Sequence, residues 1–578
     1  MEAPGGHAAR ADRGCPRENY ALQVDILVAP SGPGVRLTTL DEGRGEVAAG
    51  EVSMDLLPGR VAALEVDRPR WVWTDTSALY PELLRAGVRV ERCFDLRLCH
   101  AILRHAIPGR TTAADAWAAH VTPGAGIDAG PTLLDELTTV ADIDPAAVLE
   151  EYARQQVAVQ GSLEPGRLRL LLAAESAGAL IAAEMKHDGL PWDLDVHDRQ
   201  LAAMLGPRPR TGTRPARLEE LATTIRAHLA APALNPDSPA ELLRALRSAG
   251  IEARTTRKWE LADVDHPVIA PLLEYKRLSR LLTANGWVWM DTWIRPPEDG
   301  RRGRFHPDYV PGGVVTGRWA TSGGGVLALP KQIRSAVVAD PGWKLVVADA
   351  AQIEPRVLAA MSRDEQLARA SQGADLYQAL VEEGIVDTRA HAKVAMLGAL
   401  YGATTGEAGL LMPRLLRAYP KATNAVEQAA RAGERGEVVR TWLGRTSPLP
   451  SATWHEVQGR ASQPDAEPTD QRLARQQARD WGRFTRNFVV QGTAAEWALC
   501  WMAELRRRLL AIADDAGTPH LVFFLHDEVI VHSPAHLTQG VEAAIRDAAQ
   551  SAGGLLFGTF PVEFAIDVVT VDSYDEAA

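Results

Sequence analysis

Residues 521–533, Leu-Val-Phe-Phe-Leu-His-Asp-Glu-Val-Ile-Val-His-Ser, constrain the fold more than any other stretch of the chain. An apolar run with the look of a buried strand is broken by His526, Asp527 and Glu528 and then resumes. Three consecutive polar side chains inside such a run are costly to bury without partners. A tight hairpin that carries the three at its tip removes the conflict, whereas a plain turn would recruit Gly, Asn or Pro. A second strand-like run, Lys344-Leu345-Val346-Val347-Ala348, ends at Asp349 and passes into a helical pattern, VVADAAQIEPRVLAAM. Pro355 lies just inside the expected helix start, where its missing N–H would be unpaired in any case. Alone, Asp349 reads as a helix cap. Beside Asp527 on an adjacent strand end, it becomes half of a pair able to hold two cations about 4 Å apart, the arrangement used for in-line phosphoryl displacement.

A helix supplies the third element. Arg389, Lys393, Leu397 and Tyr401 are spaced by four, so each is rotated only about 40° from the last. The two cations share one face, which suits a triphosphate. A solvated basic face is the ordinary explanation for such a pair, but here the stripe turns apolar and then aromatic, with Gly398 and Gly402 permitting close approach.

At 578 residues the chain exceeds a single core and several domains are expected. The first 150 or so residues read as a mixed α/β unit, with strand-like runs ALQVDILVA, RVAALEV and RWVWTD, a helix over 96–105, and linkers near 107–113 and 122–131. Residues 165–290 are helical in pattern, with segments closing on Gly189, Gly250 and Gly286. A helical block is expected over 353–445, a surface loop or insertion over 447–470, a long helix over 471–512, and buried strands at 521–533 and 560–571 with a helix between. No run approaches the roughly 20 apolar residues of a membrane span. No secretory leader is visible, and four cysteines without metal-ligand spacing suit a reducing compartment, so a cytoplasmic location without membrane contact is expected. The net charge of −12 argues mildly against a nucleic-acid partner, but basic clusters at Arg208, Arg210, Arg214 and Arg217 and along 472–486 leave the question open.

Together these elements resemble the family A DNA polymerases. The first palm motif of that family is matched by Asp349, Gln352, Ile353, Glu354 and Arg356, the fingers-helix motif by Arg389, Lys393, Gly398, Tyr401 and Gly402, and the last palm motif by His526-Asp527-Glu528. Between them, Arg483, Asn487 and Gln491-Gly492-Thr493-Ala494-Ala495 resemble the DNA-contacting helix. Upstream, Thr316-Gly317-Arg318 is similar to the segment that meets the primer-template minor groove, and residues 272–282 to the thumb-to-palm helix. The resemblance implies a mixed α/β right hand: a 3′–5′ exonuclease-like, RNase H-like domain over 1–160, thumb over 161–305, palm over 306–360 and 483–578, and fingers over 361–482. It implies a DNA-templated DNA polymerase that acts as a monomer on primer-template DNA and dNTPs with two Mg²⁺ ions, or Mn²⁺ in their place. Asp349, Asp527 and the carbonyl of Ala350 would hold metal, with Glu528 and Lys393 also in the catalytic set. Arg389, Lys393, Leu397, Tyr401, Gln352, Glu354 and Tyr377 would surround the nucleotide, Glu354 excluding a 2′-hydroxyl by bulk. Arg318, Arg483, Asn487, Gln491 and His526 would meet DNA, and the arginines at 472, 475, 479, 483 and 486 would offer a basic face to phosphates.

The match departs from the family at Ala350-Ala351, where Tyr-Ser is usual, at Pro355 in place of Leu, and at Leu397 in place of an aromatic. None of these removes a metal ligand. In the N-terminal region Asp75 and Asp95 fall where a proofreading fold places carboxylates, but no Asp-x-Glu strand precedes them and Glu65-Val66-Asp67 is reversed in order, so an inactive exonuclease-like domain is expected, without a 5′-nuclease domain. Three alternatives stand beside this reading: a non-catalytic DNA-binding scaffold, a polymerase with residual exonuclease through Asp75 and Asp95, and a Mg²⁺ phosphatase. The last leaves the Arg389 helix and the Gln491 segment unexplained.

Overall fold

Strands form where apolar runs find a second apolar surface to cover them, and in the computed structural model of the chain those among the described residues sort into four sheets. The structure describes residues 24–41, 45–106, 143–210, 212–298, 300–325, 329–373, 375–402 and 406–577. The expected linkers at 107–113 and 122–131 and Cys15 lie outside these residues.

The N-terminal unit comprises β1 (Asp25–Ser31), β2 (Gly34–Leu40), β3 (Glu46–Ser53), α1 (Leu57–Glu65), β4 (Arg70–Trp73), α2 (Thr76–Arg85), β5 (Cys93–Asp95) and α3 (Leu96–Ala106), followed by α4 (Pro145–Gln160). Its sheet has the order β3-β2-β1-β4-β5, antiparallel across the first three strands and parallel from β1 through β4 to β5. Trp71 and Trp73 are fully buried on it. The run RVAALEV, expected as a strand, instead supplies most of α1. Its buried residues, Leu57 and Val61, lie one turn apart, a helical spacing that outweighs the β-branched content.

The 24-residue helix α5 (Pro165–Asp188) packs against α2 and β5 and also against the 44-residue helix described below, and it ends at Gly189, whose φ of +72° a side chain would strain. Next come β6 (Leu190–Trp192), α6 (Leu194–Leu205), α7 (Ala216–His228), α8 (Pro239–Ser248), α9 (Lys258–Leu261), α10 (Ile269–Asn285), α11 (Trp287–Trp293), β7 (Ile294–Arg295), β8 (Gly303–Phe305), β9 (Asp308–Val310) and β10 (Ala320–Gly323). The basic cluster at 208–217 is largely neutralised here: Arg208 pairs with Asp291, Arg214 with Glu219 and Asp237, and Arg217 with Glu220 and Glu274.

The sheet that positions the site contains β11 (Trp343–Ala350), followed by α12 (Ile353–Ser362), α13 (Glu365–Ala370), α14 (Leu376–Glu382), α15 (Arg389–Tyr401), α16 (Gly406–Ala418), α17 (Pro420–Glu434), α18 (Ala452–Ala461), the 44-residue α19 (Pro468–Ala511), β12 (His520–Leu525), β13 (Glu528–Pro534), α20 (Thr538–Phe557) and β14 (Ile566–Val571). The order is β12-β13-β11-β14, antiparallel throughout. The hairpin expected from the sequence is present as β12 and β13. Three expectations need correction. Residues 560–565 are not strand, and β14 is an edge strand with alternating exposure rather than a buried one. The helical block ends at Glu434. The stretch 447–470 holds α18, capped by Ser451; the helix itself buries no residue, so it carries no apolar period to read. Among the described residues no helix is long and apolar enough to cross a membrane.

Candidate functional site

Asp349 is presented by register. It lies opposite Glu528 of β13 on one side and Asp567 of β14 on the other, and the Ala350 N–H donates to the Asp527 carbonyl at 2.9 Å. Asp527 follows His526, whose φ of +59° makes the sharp turn between β12 and β13. Burial, joined by the charges of Asp527, Glu528 and Asp567, pushes the Asp349 carboxyl up to about 7. Burial also raises Asp527 and Glu528. Asp567 was not foreseen, although the signal was available: it too is an acid inside an apolar run, IDVVTV.

Behind Asp349 the chain turns through Gln352, held at φ +54°, into α12. Arg356 fixes this turn. Its guanidinium is fully buried and donates to the carbonyls of Ala351 (2.8 Å), Ser371 (2.5 Å), Glu563 (2.6 Å) and Gly373 (2.7 Å), so none of its charge is left for substrate. The Gln352 amide donates to Asp375 at 3.0 Å and its carbonyl accepts the Leu376 N–H at 2.9 Å. Its side chain is thus engaged at the start of α14, while the residue also lines the cleft described next.

A cleft of about 480 Å³ opens over the carboxylates, with Arg318, Asp349, Gln352, Glu354, Tyr377, Arg389, Lys393, Leu397, Tyr401, His526, Asp527 and Asp567 in its wall. Thr388 caps α15 through the His391 N–H, and Gly402 ends it at φ +71°. The helix lays Arg389, Lys393, Leu397 and Tyr401 along one side of the cleft. Arg389 pairs with Asp375 at 2.5 Å and lies over the Tyr377 ring, 5.6 Å from its centroid, while Lys393 is exposed. Glu354 is gripped from both sides: Arg318 donates to Oε1 and the Tyr401 hydroxyl to Oε2, the latter at 2.8 Å. Burial and the Glu354 charge raise the Tyr401 hydroxyl, and burial first and then Glu354 push Tyr377 up to about 12.

Glu528 accepts a hydrogen bond from Tyr574. That contact ties it to the C-terminal segment, beside the cleft rather than in its wall, in contrast to the catalytic place expected for it. Asn487 and Gln491 are half-buried along α19, Gln491 reaching the Tyr401 hydroxyl. Arg483 is exposed and pairs with Asp480. Arg486 is no part of a phosphate face: it is buried, donating to the Ala399 carbonyl at 2.8 Å and pairing with Glu427.

The donor set fits a hard divalent cation. Among the described residues no group of three or more His, Cys, Asp or Glu side chains is arranged around a metal position. The cleft wall offers the Asp349 and Asp527 carboxylates, which suits an ion that keeps its waters and takes further oxygens from a phosphate ligand. Crowded carboxylates with raised proton affinity also gain from a nearby cation. In the N-terminal unit, Asp95 is completely buried and accepts the Thr76 and Leu98 N–H groups, while Asp75 caps α2 and pairs with Arg97. Both are committed to local structure.

The profile of the family described as DNA polymerase family A matches residues 212–576. The DNA polymerase I of Chloroflexus aurantiacus is 28% identical over 369 residues, covering 59% of this chain and 36% of that protein. The thermostable DNA polymerase I of Thermus thermophilus is 25% identical over 491 residues, covering 76% of this chain and 54% of that protein. The chain thus spans about a third to a half of the length of these curated relatives. The solved POL domain of Pol1 from M. smegmatis, in complex with a DNA primer-template and dNTP, matches with a TM-score of 0.67 at 18% identity, over 96% of each chain, which shows a shared fold.

Proposed function

The chain belongs to DNA polymerase family A, and from that membership we propose that it is a DNA-templated DNA polymerase, extending a primer 3′-hydroxyl with dNTPs and releasing pyrophosphate. The observation that carries this reading is the convergence of Asp349, Asp527 and the α15 cations on one cleft, although the carboxylates lie far apart in sequence. Asp349 and Asp527, with the Ala350 carbonyl, would hold two divalent cations, Mg²⁺ or Mn²⁺, which would supply a lowered proton affinity at the attacking hydroxyl and charge neutralisation at the leaving pyrophosphate. Lys393 and Arg389 flank the triphosphate, Arg389 exchanging Asp375 for phosphate, and Tyr377 borders it. Glu354 crowds the sugar C2′, Leu397 packs on the sugar, and Tyr401 closes the templating position. Arg318, Asn487 and Gln491 meet minor-groove acceptors, whose degenerate pattern reports pair shape without sequence; Arg483 and His526 meet the strands on either side. Gln352 and Glu528 position their neighbours. The proposed division is an inactive exonuclease-like unit over 1–160, thumb over 161–305, palm over 306–360 and 483–578, and fingers over 361–482.

Primer extension with dNTPs and Mg²⁺ tests the proposal. Wild-type protein is expected to extend a recessed primer, and Asp527→Ala to lose extension while retaining primer-template binding. No extension by the wild type, or full extension by Asp527→Ala, refutes the reading.

A further inference from the structure

Arg318 reaches the cleft from the turn between β9 and β10, and that turn rests on buried charge. Gly312 (φ +61°) and Gly317 (φ +86°) bend it, and the Gly317 N–H donates to the Val314 carbonyl at 2.7 Å. Against the turn lie two buried charged residues, Glu175 of α5 and Arg445 from the segment between α17 and α18. The Arg445 guanidinium donates to Glu175 Oε2 at 2.6 Å. The pair meets the turn at its glycines. A Cβ on Gly312 would overlap Glu175 Oε1, and one on Gly317 would sit 2.6 Å from Arg445 Nε. Only glycine lets a left-handed turn press its main chain onto such a pair.

Arg445 is itself held in place. Its N–H donates to the Thr441 hydroxyl at 2.9 Å, and that hydroxyl donates to Glu496 of α19. The Leu443 N–H donates to the other Glu496 oxygen at 2.9 Å. One helical turn earlier, Gly492 lies against the turn directly, since a Cβ there would fall 3.1 Å from the Thr316 carbonyl. The turn is thus clasped between α5 and α19.

Stability alone does not account for this arrangement. Glu175 Oε1 and Arg445 Nε, the atoms that face the two glycines, have no hydrogen-bond partner among the described residues, and neither does Thr316 Oγ1 within the turn. A buried polar atom without a partner is destabilising, and a buried ion pair is often worth less than an apolar pair of the same volume. The chain accepts these penalties around one turn, directly beside a residue of the cleft wall. We propose that Glu175 and Arg445 are positioning residues for Arg318: the buried pair fixes the turn and so aims the Arg318 guanidinium at the minor-groove acceptors of the primer-template. The inference rests on the polymerase reading above and extends it to two residues outside the cleft wall. Glu354 holds the guanidinium end of Arg318, whereas Glu175 and Arg445 hold its main chain. A donor fixed at both ends has little freedom left to lose on binding.

The test compares two primer-templates that differ at one ring position, the primer ending in guanine or in 3-deazaguanine, which lacks the N3 acceptor of the minor groove. Single-nucleotide extension and equilibrium binding by fluorescence anisotropy are measured on both with the full chain, and the ratio is taken within each protein. An incompletely folded variant counts equally on both primers, so the ratio reports recognition and not the amount of folded protein. Wild type is expected to prefer guanine by roughly 10–100-fold in kcat/KM, the worth of a hydrogen bond from a charged donor. Arg318→Ala should bring the ratio to about 1, because the donor is gone. Glu175→Gln keeps the shape and removes the charge, while Arg445→Lys keeps the charge and removes the fork. Each should shrink the ratio to about threefold or less with Arg318 intact, as a small misplacement of a contact predicts. A wild-type ratio retained by both variants overturns the assignment, and so does a ratio near 1 in the wild type. No extension by the wild type, with a binding ratio that both variants erase, sinks the polymerase reading alone. Extension with a ratio unchanged in the variants sinks this inference alone.

Discussion

Glu354 illustrates how much one carboxylate can carry. It is 9% exposed at the start of α12, and its two oxygens take up Arg318 from the turn between β9 and β10 and Tyr401 from α15. Three segments distant in sequence are therefore fixed relative to one another by one side chain. Glu354→Ala should leave Arg318 without its partner, costing about 1–3 kcal/mol of stability. Opening the space beside the sugar should also raise ribonucleotide use relative to dNTP by roughly 10–100-fold. Thermal unfolding and single-nucleotide extension with matched rNTP and dNTP check the two effects; an unchanged sugar ratio would remove Glu354 from the sugar-selecting role. The motif that contains Glu354 was readable in the sequence, as was the importance of Asp349. The work of Arg356 was not, because its four carbonyl partners come from segments as far away as Glu563 and Gly373. Nothing local marks a fully buried guanidinium.

At the scale of elements, the hairpin of β12 and β13 was legible because His526-Asp527-Glu528 could not remain inside a buried strand, a conflict with one simple resolution. By contrast α1 and α18 were misread: one has apolar residues on only two buried positions, the other on none. The packing of α17 on α19 rests on a different device. Gly433 lies against Thr485, whose hydroxyl donates to the Ala429 carbonyl at 2.8 Å, and a Cβ at 433 would overlap that hydroxyl. Gly433→Ala should therefore destabilise the protein by about 1–3 kcal/mol despite the better helix propensity of Ala. A melting temperature unchanged or raised would show that the two helices can separate at little cost.

Across the whole molecule, the N-terminal unit is joined to α19 by one buried ionic network. Arg506 donates to both Glu184 oxygens at 2.8 and 2.7 Å and to the carbonyls of Glu91 and Val90, while Tyr80 donates to Glu184 at 2.5 Å. Arg506→Met should cost about 3–5 kcal/mol because it leaves the buried Glu184 charge only the longer ion pair with Arg89, at 3.5 Å, and Arg506→Met/Glu184→Leu should cost less than the single change. Amide exchange in β4 and β5 should quicken in the single variant; a loss below about 1 kcal/mol would mean water can reach Glu184. Neither Arg506 nor Glu184 drew notice in the sequence, since each sits in an ordinary helical pattern. The sequence by itself determined the hairpin, the two Asp residues, the α15 stripe and the family, because those depend on local period and on polar groups where burial forbids them. Only the tertiary structure decided which charges are spent on the protein itself, as with Arg486, Arg356, Asp95 and Arg506, and which are left facing outward, as with Lys393. Pairing depends on distance in space, and distance in space is fixed only when the elements pack.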